Sequence, residues 1–164
     1  MQLTFRPLLR SDWEEISKIY AEGIATGIAT FETDIPDWEQ WNEKYISSCR
    51  IVAEQDDVIL GFAVLSKVST RAVYRGVAEV SLYVTEKYRG QGVGKKLLLE
   101  LIRQSEIHGF WTLQAGIFSE NLVSIKLHEQ CGFRIVGIKE KIGRRNGKWY
   151  DNHFLERRSK VIGI

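Results

Sequence analysis

The sequence predicts an α/β (α+β) protein: one mixed central β-sheet with helices on both faces. Three observations carry this. Runs of β-branched and aromatic residues alternate along the chain with segments whose apolar residues recur at helical spacing. Two of the strand-like runs, in "RIVAEQDDVILGFAVLSKV", are joined by a short polar turn at Gln55 to Asp57, and the Asn146-Gly147 pair separates the last two, so part of the sheet is built of hairpins. Elsewhere a helix separates successive strands, as in "VAEVSLYV", "GVGKKLLLELIRQSEIHG" and "WTLQAGIF". At 164 residues, with no repeat, linker or low-complexity segment, the chain is expected to form a single domain over 1–164.

Each element has its own signal. "QLTFRPL" alternates as a first strand, and Ser11 with Glu14 in capping-box spacing marks a helix start. Trp13, Ile16, Ile19 and Tyr20 form that helix's apolar face, and Gly23 is its expected stop. "GIATGIATFETDIPD" reads as a loop or broken helix, after which Asp37 caps a second helix bearing Trp38, Trp41 and Tyr45. In the long third helix Leu97, Leu98, Leu101 and Ile102 share one side, and Gly109 closes it. "NLVSIKLHEQCG" is a short helix ending on Gly132, followed by the strands "FRIVGIKE" and "KWYDNHFLE".

Composition narrows the function classes. Charged residues make up 27% and the net charge is only +2, which gives no reason to expect nucleic acid. The local basic runs "GRRNGK" and "ERRSK" read as a solvated turn and a solvated tail. Cys49 and Cys131 lie in no metal or redox spacing and read as packing thiols. No signal-peptide core and no membrane-length apolar run is visible, so the expected location is cytoplasmic, without membrane or metal.

The chemistry points to "EVSLYVTEKYRGQGVGKKLLLEL". A glycine turn between strand and helix offers free backbone N–H groups and the positive end of a helix dipole to a phosphate. A P-loop ending in Lys95 needs Gly at 89 and Ser or Thr at 96, where Arg89 and Lys96 stand. A dinucleotide fingerprint starting at Gly90 needs a small residue at 95. Both fail. Lys95 and Lys96 themselves read as solvated helix lysines.

Arg89 to Gly94, "RGQGVG", resembles the acetyl-CoA pyrophosphate loop of the GCN5-related N-acetyltransferase (GNAT) superfamily, Arg/Gln-x-x-Gly-x-Gly/Ala. The strand before it, the helix after it and the Asn121 to Phe133 segment occur in that superfamily's order. Within it, "GIATFET", "RAVYRGVAEVSLYV", "LHEQCGF" and "GKWYD" look like the phosphinothricin and methionine-sulfoximine acetyltransferase branch. Ala72 stands where that branch often has proline, and "RRNGKWYD" matches its C-terminal motif loosely.

The resemblance implies a splayed strand pair and an acetyl-CoA-dependent N-acetyltransferase of a small amino-acid-like acceptor, acting in a ternary complex as a homodimer. It implies that Leu82, Tyr83 and Val84 bind the pantetheine arm through backbone groups, with the N–H of Val84 toward the thioester oxygen. Arg89, Gly90, Gln91, Gly92, Val93, Gly94 and Lys95 would hold the pyrophosphate, and Asn121 the pantetheine or phosphate region. Strand alternation sets Glu79, Ser81 and Tyr83 on one face and Val80, Leu82 and Val84 on the other.

Glu79 is either the general base or the partner of Arg71 or Arg75 in a salt bridge. His128 is the expected proton donor to the thiolate, or a packed histidine, with Tyr83 as the alternative acid. Phe31, Glu32, Arg71, Ala72, Val73, Glu79, Val80 and Ser81 are the implied acceptor pocket. Trp38 and Trp41 read as core. Trp149, Tyr150 and Asp151 are last-strand residues, or parts of the pocket or a two-fold interface. Two rivals stand: acetylation of another amine (polyamine, aminoglycoside, protein N-terminus), and a non-catalytic acyl-CoA sensor.

Overall fold

The computed structural model describes residues 2–164. Its elements are β1 (Thr4–Pro7), α1 (Trp13–Ala25), α2 (Trp38–Lys44), β2 (Ile51–Gln55), β3 (Val58–Lys67) and β4 (Val77–Val84), then α3 (Val93–Ile107), β5 (Thr112–Phe118), α4 (Leu122–Gln130), β6 (Arg134–Arg145) and β7 (Lys148–Arg158). All seven strands form one sheet in the order β1-β2-β3-β4-β5-β7-β6. Only β4 and β5 run parallel; the other neighbours are antiparallel. Helices cover both faces, as the alternating pattern requires. On one side Leu97, Leu98 and Leu101 of α3 pack with Leu65, Leu113 and Leu155. On the other, Ile16 and Tyr20 of α1 and Trp41 of α2 pack with Val52, Phe62 and Val64.

The local devices agree with the sequence in part. Asp37 accepts the N–H of Gln40, whose side chain bonds back to the Asp37 N–H, so α2 opens on a full capping box. Asp56 (φ 50°) and Asp57 (φ 62°) form the tight turn between β2 and β3, and Asn146 (φ 49°) with Gly147 (φ 78°) turns β6 into β7.

Four expectations are corrected. Ser11 and Glu14 form no capping box: a 3-10 turn (Arg10–Asp12) precedes α1. There the Asp12 carboxylate takes the Leu9 N–H at 2.7 Å and the Arg6 guanidinium at 2.9 and 3.0 Å. Gly23 does not end α1 but lies inside it, where its lack of a side chain makes room for the ring of Tyr83; a Cβ there would sit 2.6 Å from Tyr83 Cδ1. The basic runs are not solvated throughout. Arg145 reaches the carbonyls of Thr30 and Ile24, Arg157 pairs with Glu106, and Arg158 bonds carbonyls of the C-terminal turn. β6 is also longer than the periodicity shows, since Lys141 (φ 45°) bulges out and gives its N–H to the Asp151 carboxylate.

The feature that positions the site is the β4–β5 junction. These strands pair only at Val77–Thr112, Ala78–Leu113 and Glu79–Gln114, then diverge, although β4 continues to Val84 and β5 to Phe118. On its other edge β4 stays paired with β3 as far as Val84–Gly61.

Candidate active site

Which backbone groups face the opening follows from register. Thr85 donates its N–H to the carbonyl of Leu60, directly opposite it, so Tyr83, Ser81 and Glu79 also spend their backbone groups on β3. Val80, Leu82 and Val84 therefore turn theirs toward the opening. The Val84 carbonyl takes the Arg89 Nε–H at 3.1 Å, leaving the Val84 N–H free. Of the three residues expected to serve a ligand through the backbone, Tyr83 is thus committed to β3, while Leu82 and Val84 are positioned for it.

At the far end of β4 lies the glycine turn. Gly90 (φ 74°) and Gly92 (φ 83°) adopt left-handed conformations that no β-branched residue holds cheaply. Lys96 is the first residue of α3 to donate inward, to the Gly92 carbonyl, so the N–H groups of Gly90, Gln91, Gly92, Val93, Gly94 and Lys95 have no backbone acceptor. Gly94 has a second use. A Cβ there would meet Leu127 Cδ1 at 2.9 Å, so its smallness lets α4 close on α3. Lys95 and Lys96 are exposed.

A cavity of about 300 Å³ fills the opening on the α1 side. It brings together nine of the expected residues: Phe31, Glu32, Glu79, Val80, Ser81, Leu82, Tyr83, Asn121 and His128. It does not reach Arg71, Ala72 and Val73. Those begin an exposed 3-10 turn, Val73 being 61% exposed, with the Arg71 guanidinium over the ring of Tyr74. They are removed from the pocket because the chain turns before β4 begins. Neither Arg71 nor Arg75 pairs with Glu79, and among the described residues Glu79 joins no ion pair. Its carboxylate, exposed at the cavity wall, is free for a ligand.

His128 is 5% exposed and lies edge-on to Phe133. Its Nδ1 is 2.7 Å from the Ser124 carbonyl, an atom that can only accept, so Nδ1 carries the proton and Nε2 the lone pair. Burial pushes its pKa below the ordinary value, against a smaller opposing effect of the Ser124 bond. Neutral His128 therefore presents a lone pair at Nε2. Tyr83 stacks on Phe62 and meets Tyr20 edge-on, and burial raises its phenol far above the usual range. Asn121 caps α4 by accepting the Ser124 N–H, and its amide nitrogen reaches the Ile28 carbonyl at 3.4 Å.

Other wall residues include residues 28–30, which belong to "GIATFET", and four that lie in none of the motifs quoted above. Residues 28–30, Lys44, Tyr45, Gly116 and Asn152 enter through the loop after α1, the end of α2 and strands β5 and β7. The loop is pinned by Phe31, whose ring lies 4.4 Å from that of Phe118 and against Gly143, and by Arg145 on two of its carbonyls. Trp38 and Trp41 pack with Trp13, as expected of core. Tyr150 packs on Phe118, whereas Trp149 is 54% exposed.

The sequence and fold that carry this arrangement match known proteins. The family model described as the acetyltransferase (GNAT) family matches residues 10–133. The chain belongs to that family. This acetyltransferase is 34% identical over 160 residues to the phosphinothricin N-acetyltransferase of Alcaligenes faecalis, covering 94% of this chain and 81% of that one. It is 28% identical to the L-methionine sulfoximine/L-methionine sulfone acetyltransferase of Salmonella typhimurium, over 94% and 93% of the two chains. Among solved structures, a GNAT superfamily phosphinothricin acetyltransferase from Sinorhizobium meliloti in complex with acetyl-CoA superposes with a TM-score of 0.87 at 30% identity, covering 96% of this acetyltransferase and 89% of that chain. Among the described residues no group of three or more His, Cys, Asp or Glu is placed to hold a metal, and no helix is long and apolar enough to cross a membrane.

Proposed function

We propose that this acetyltransferase transfers the acetyl group of acetyl-CoA to the amine of a small amino-acid-like acceptor of the phosphinothricin or methionine-sulfoximine type. The observation that carries the reading is the opening between β4 and β5, which ends beside a carboxylate at one end and a nest of free N–H groups at the other. The fit to acetyl-CoA is chemical. An arm with amide groups suits the unpaired backbone of Leu82 and Val84, and a diphosphate suits the N–H groups of Gly90 to Lys95 with Arg89 alongside. Acetyl-CoA supplies the activated acyl group.

The chain's own residues do the rest. The Val84 N–H is the oxyanion donor. Glu79 removes a proton from the incoming ammonium, which is unreactive until its lone pair is freed. His128 takes at Nε2 the second proton that amide formation releases, and returns it to the sulfur as that leaves. A base that becomes the acid after loading needs no proton at the start, in keeping with its neutral state. Tyr83 serves by packing, and Asn121 holds the loop that lines the acceptor side.

The homodimer belongs to this reading. β6 is a sheet edge with Ile135, Val136, Ile138 and Ile142 exposed, flanked by exposed Trp149, and such an edge is commonly covered. Sedimentation equilibrium tests it. A cytoplasmic setting suits two free, buried thiols, Cys49 and Cys131. The decisive assay for the function is thiol release from acetyl-CoA with methionine sulfoximine, phosphinothricin, ordinary amino acids, a polyamine and an N-terminal peptide. Acceleration by the first group supports the proposal. Tight coenzyme binding with no amine accelerating thiol release makes the protein an acyl-CoA sensor instead.

A further inference from the structure

Between the end of β4 and the glycine turn runs a short segment with a tether of its own. Thr85 is the last residue of this run held to β3, through its N–H to the Leu60 carbonyl. From there to Gln91 most hydrogen bonds are local. Tyr88 and Arg89 donate their N–H groups to the Thr85 and Glu86 carbonyls, Arg89 Nε reaches back to the Val84 carbonyl, and the Gln91 amide reaches that of Lys87. The tie from a distant part of the chain is Glu22, near the end of α1. Its carboxylate takes the Thr85 hydroxyl at 3.1 Å on one oxygen and the Glu86 N–H at 2.6 Å on the other.

Nothing else claims this carboxylate. Among the described residues Glu22 joins no ion pair, and it stands outside the cavity wall. The 3-10 turn Glu86–Tyr88 has no side-chain cap from its own N-cap residue, so Glu22 supplies the acceptor that the first N–H of the turn requires. Bonds to a carboxylate are charge-assisted, and two from adjacent residues fix a direction as well as a position. What they aim is the chain that links the free edge of β4 to the free N–H groups of Gly90 to Lys95.

We propose that Glu22 is a positioning residue for the coenzyme: it sets the angle of the glycine turn to β4 at which a diphosphate is held, without touching the ligand. The inference rests on the acetyl-transfer reading, which seats the diphosphate on that turn. Apparent affinity scales with the fraction of molecules whose turn is already in place. Glu22 raises that fraction, and Tyr88, packed against the core, supports it from the other side. Two residues on, the Ile24 carbonyl takes the Arg145 guanidinium, so the same helix end also anchors the loop that lines the cavity.

The test uses the full-length protein with two donors, acetyl-CoA and S-acetylpantetheine, which has the thioester arm and no diphosphate. Glu22→Ala should raise the acetyl-CoA Kd, measured by calorimetry, about tenfold, the loss typical of a hydrogen bond to a charged group. Thiol release from S-acetylpantetheine should stay within about twofold of wild type, because that donor makes no use of the turn. A merely structural loss lowers both alike. Glu22→Gln keeps an oxygen for the Glu86 N–H and offers its amide nitrogen to the Thr85 oxygen, so Kd should stay within about threefold. Glu22→Asp keeps the charge but draws it back by one methylene, and should behave like Glu22→Ala; a role for charge alone predicts the reverse order. If Glu22→Ala does not fold, Thr85→Val, which removes one of the two bonds, should raise Kd about threefold. An unchanged acetyl-CoA Kd, or an equal loss with both donors, overturns the role of Glu22. Wild-type binding of acetyl-CoA with no amine accelerating thiol release overturns the acetyl-transfer reading instead, and the Kd values still decide Glu22.

Discussion

Arg145 clamps the loop after α1 that lines the cavity, and Arg145→Met measures what the clamp contributes. Its guanidinium donates to the carbonyls of Thr30 and Ile24, each at 3.0 Å. Charge-assisted bonds are worth about 1.5–3 kcal/mol apiece, but Arg145 is only half-buried, so roughly 2 kcal/mol for the pair is a sober figure. That shifts the closed-to-open ratio of the loop about 30-fold. Apparent acceptor affinity scales with the closed fraction, so KM rises by at most about 30-fold. If Phe31 and the clamp together favour the closed over the open state about tenfold, the closed fraction falls from about 0.9 to about 0.25 on loss of the clamp and KM rises about fourfold. The melting temperature should move little, because methionine also removes the buried Arg145 Nε, which has no partner. Steady-state thiol release gives KM, and hydrogen exchange over residues 26–34 reports loop closure directly. An unchanged KM together with unchanged protection over that loop would refute the clamp.

Further outcomes follow from single groups. Glu79→Gln should lower kcat by about 10²–10⁴-fold at neutral pH with acetyl-CoA affinity intact, as measured by initial rates and calorimetry; wild-type rates in that variant remove Glu79 as the base. Tyr83→Phe should retain most activity, since a phenol raised by burial is a reluctant proton donor; a hundredfold loss reinstates it as the acid. Gly23→Ala should cost about 1–3 kcal/mol by forcing a methyl group into the Tyr83 ring, read as a lower urea midpoint. His128 has its folded pKa below its unfolded one, so the unfolded chain binds the extra proton first as pH falls. Stability is therefore full above the unfolded value, about 6.5, and declines as pH drops from there to the folded value. His128→Gln should flatten that part of the urea-midpoint profile.

The strands, helices and hairpin turns were legible because they rest on local signals: period-two and helical spacing, Asp37 with Gln40, Asn146 with Gly147. The glycine turn was legible for the same reason, being a contiguous hexapeptide. What stayed hidden depends on partners distant in the chain. Ser11 and Glu14 have the spacing of a cap, but Arg6 and Leu9 engage Asp12 instead. Gly23 looks like a stop until Tyr83, sixty positions on, is seen lying against it. The tautomer of His128 was hidden too, because the Ser124 carbonyl, which can only accept, decides which nitrogen keeps the proton. Arg145 and Asn152 sit in a segment that reads as an ordinary hairpin; only the folded return of β7 beside β5 carries it to the cavity.

The divergence of β4 from β5 also acts as a gauge. From Glu79 to Val84 the free edge runs five residues, about 17 Å, and its unpaired rungs occur at every second position. A guest threaded there must match that spacing with its own amides while its anionic end is seated at Gly90–Lys95. Its other end is then delivered to a set depth, level with Glu79. An arm too short to bridge the two would leave its reactive end stranded partway along the edge, so length, as much as chemistry, is what this sheet reads.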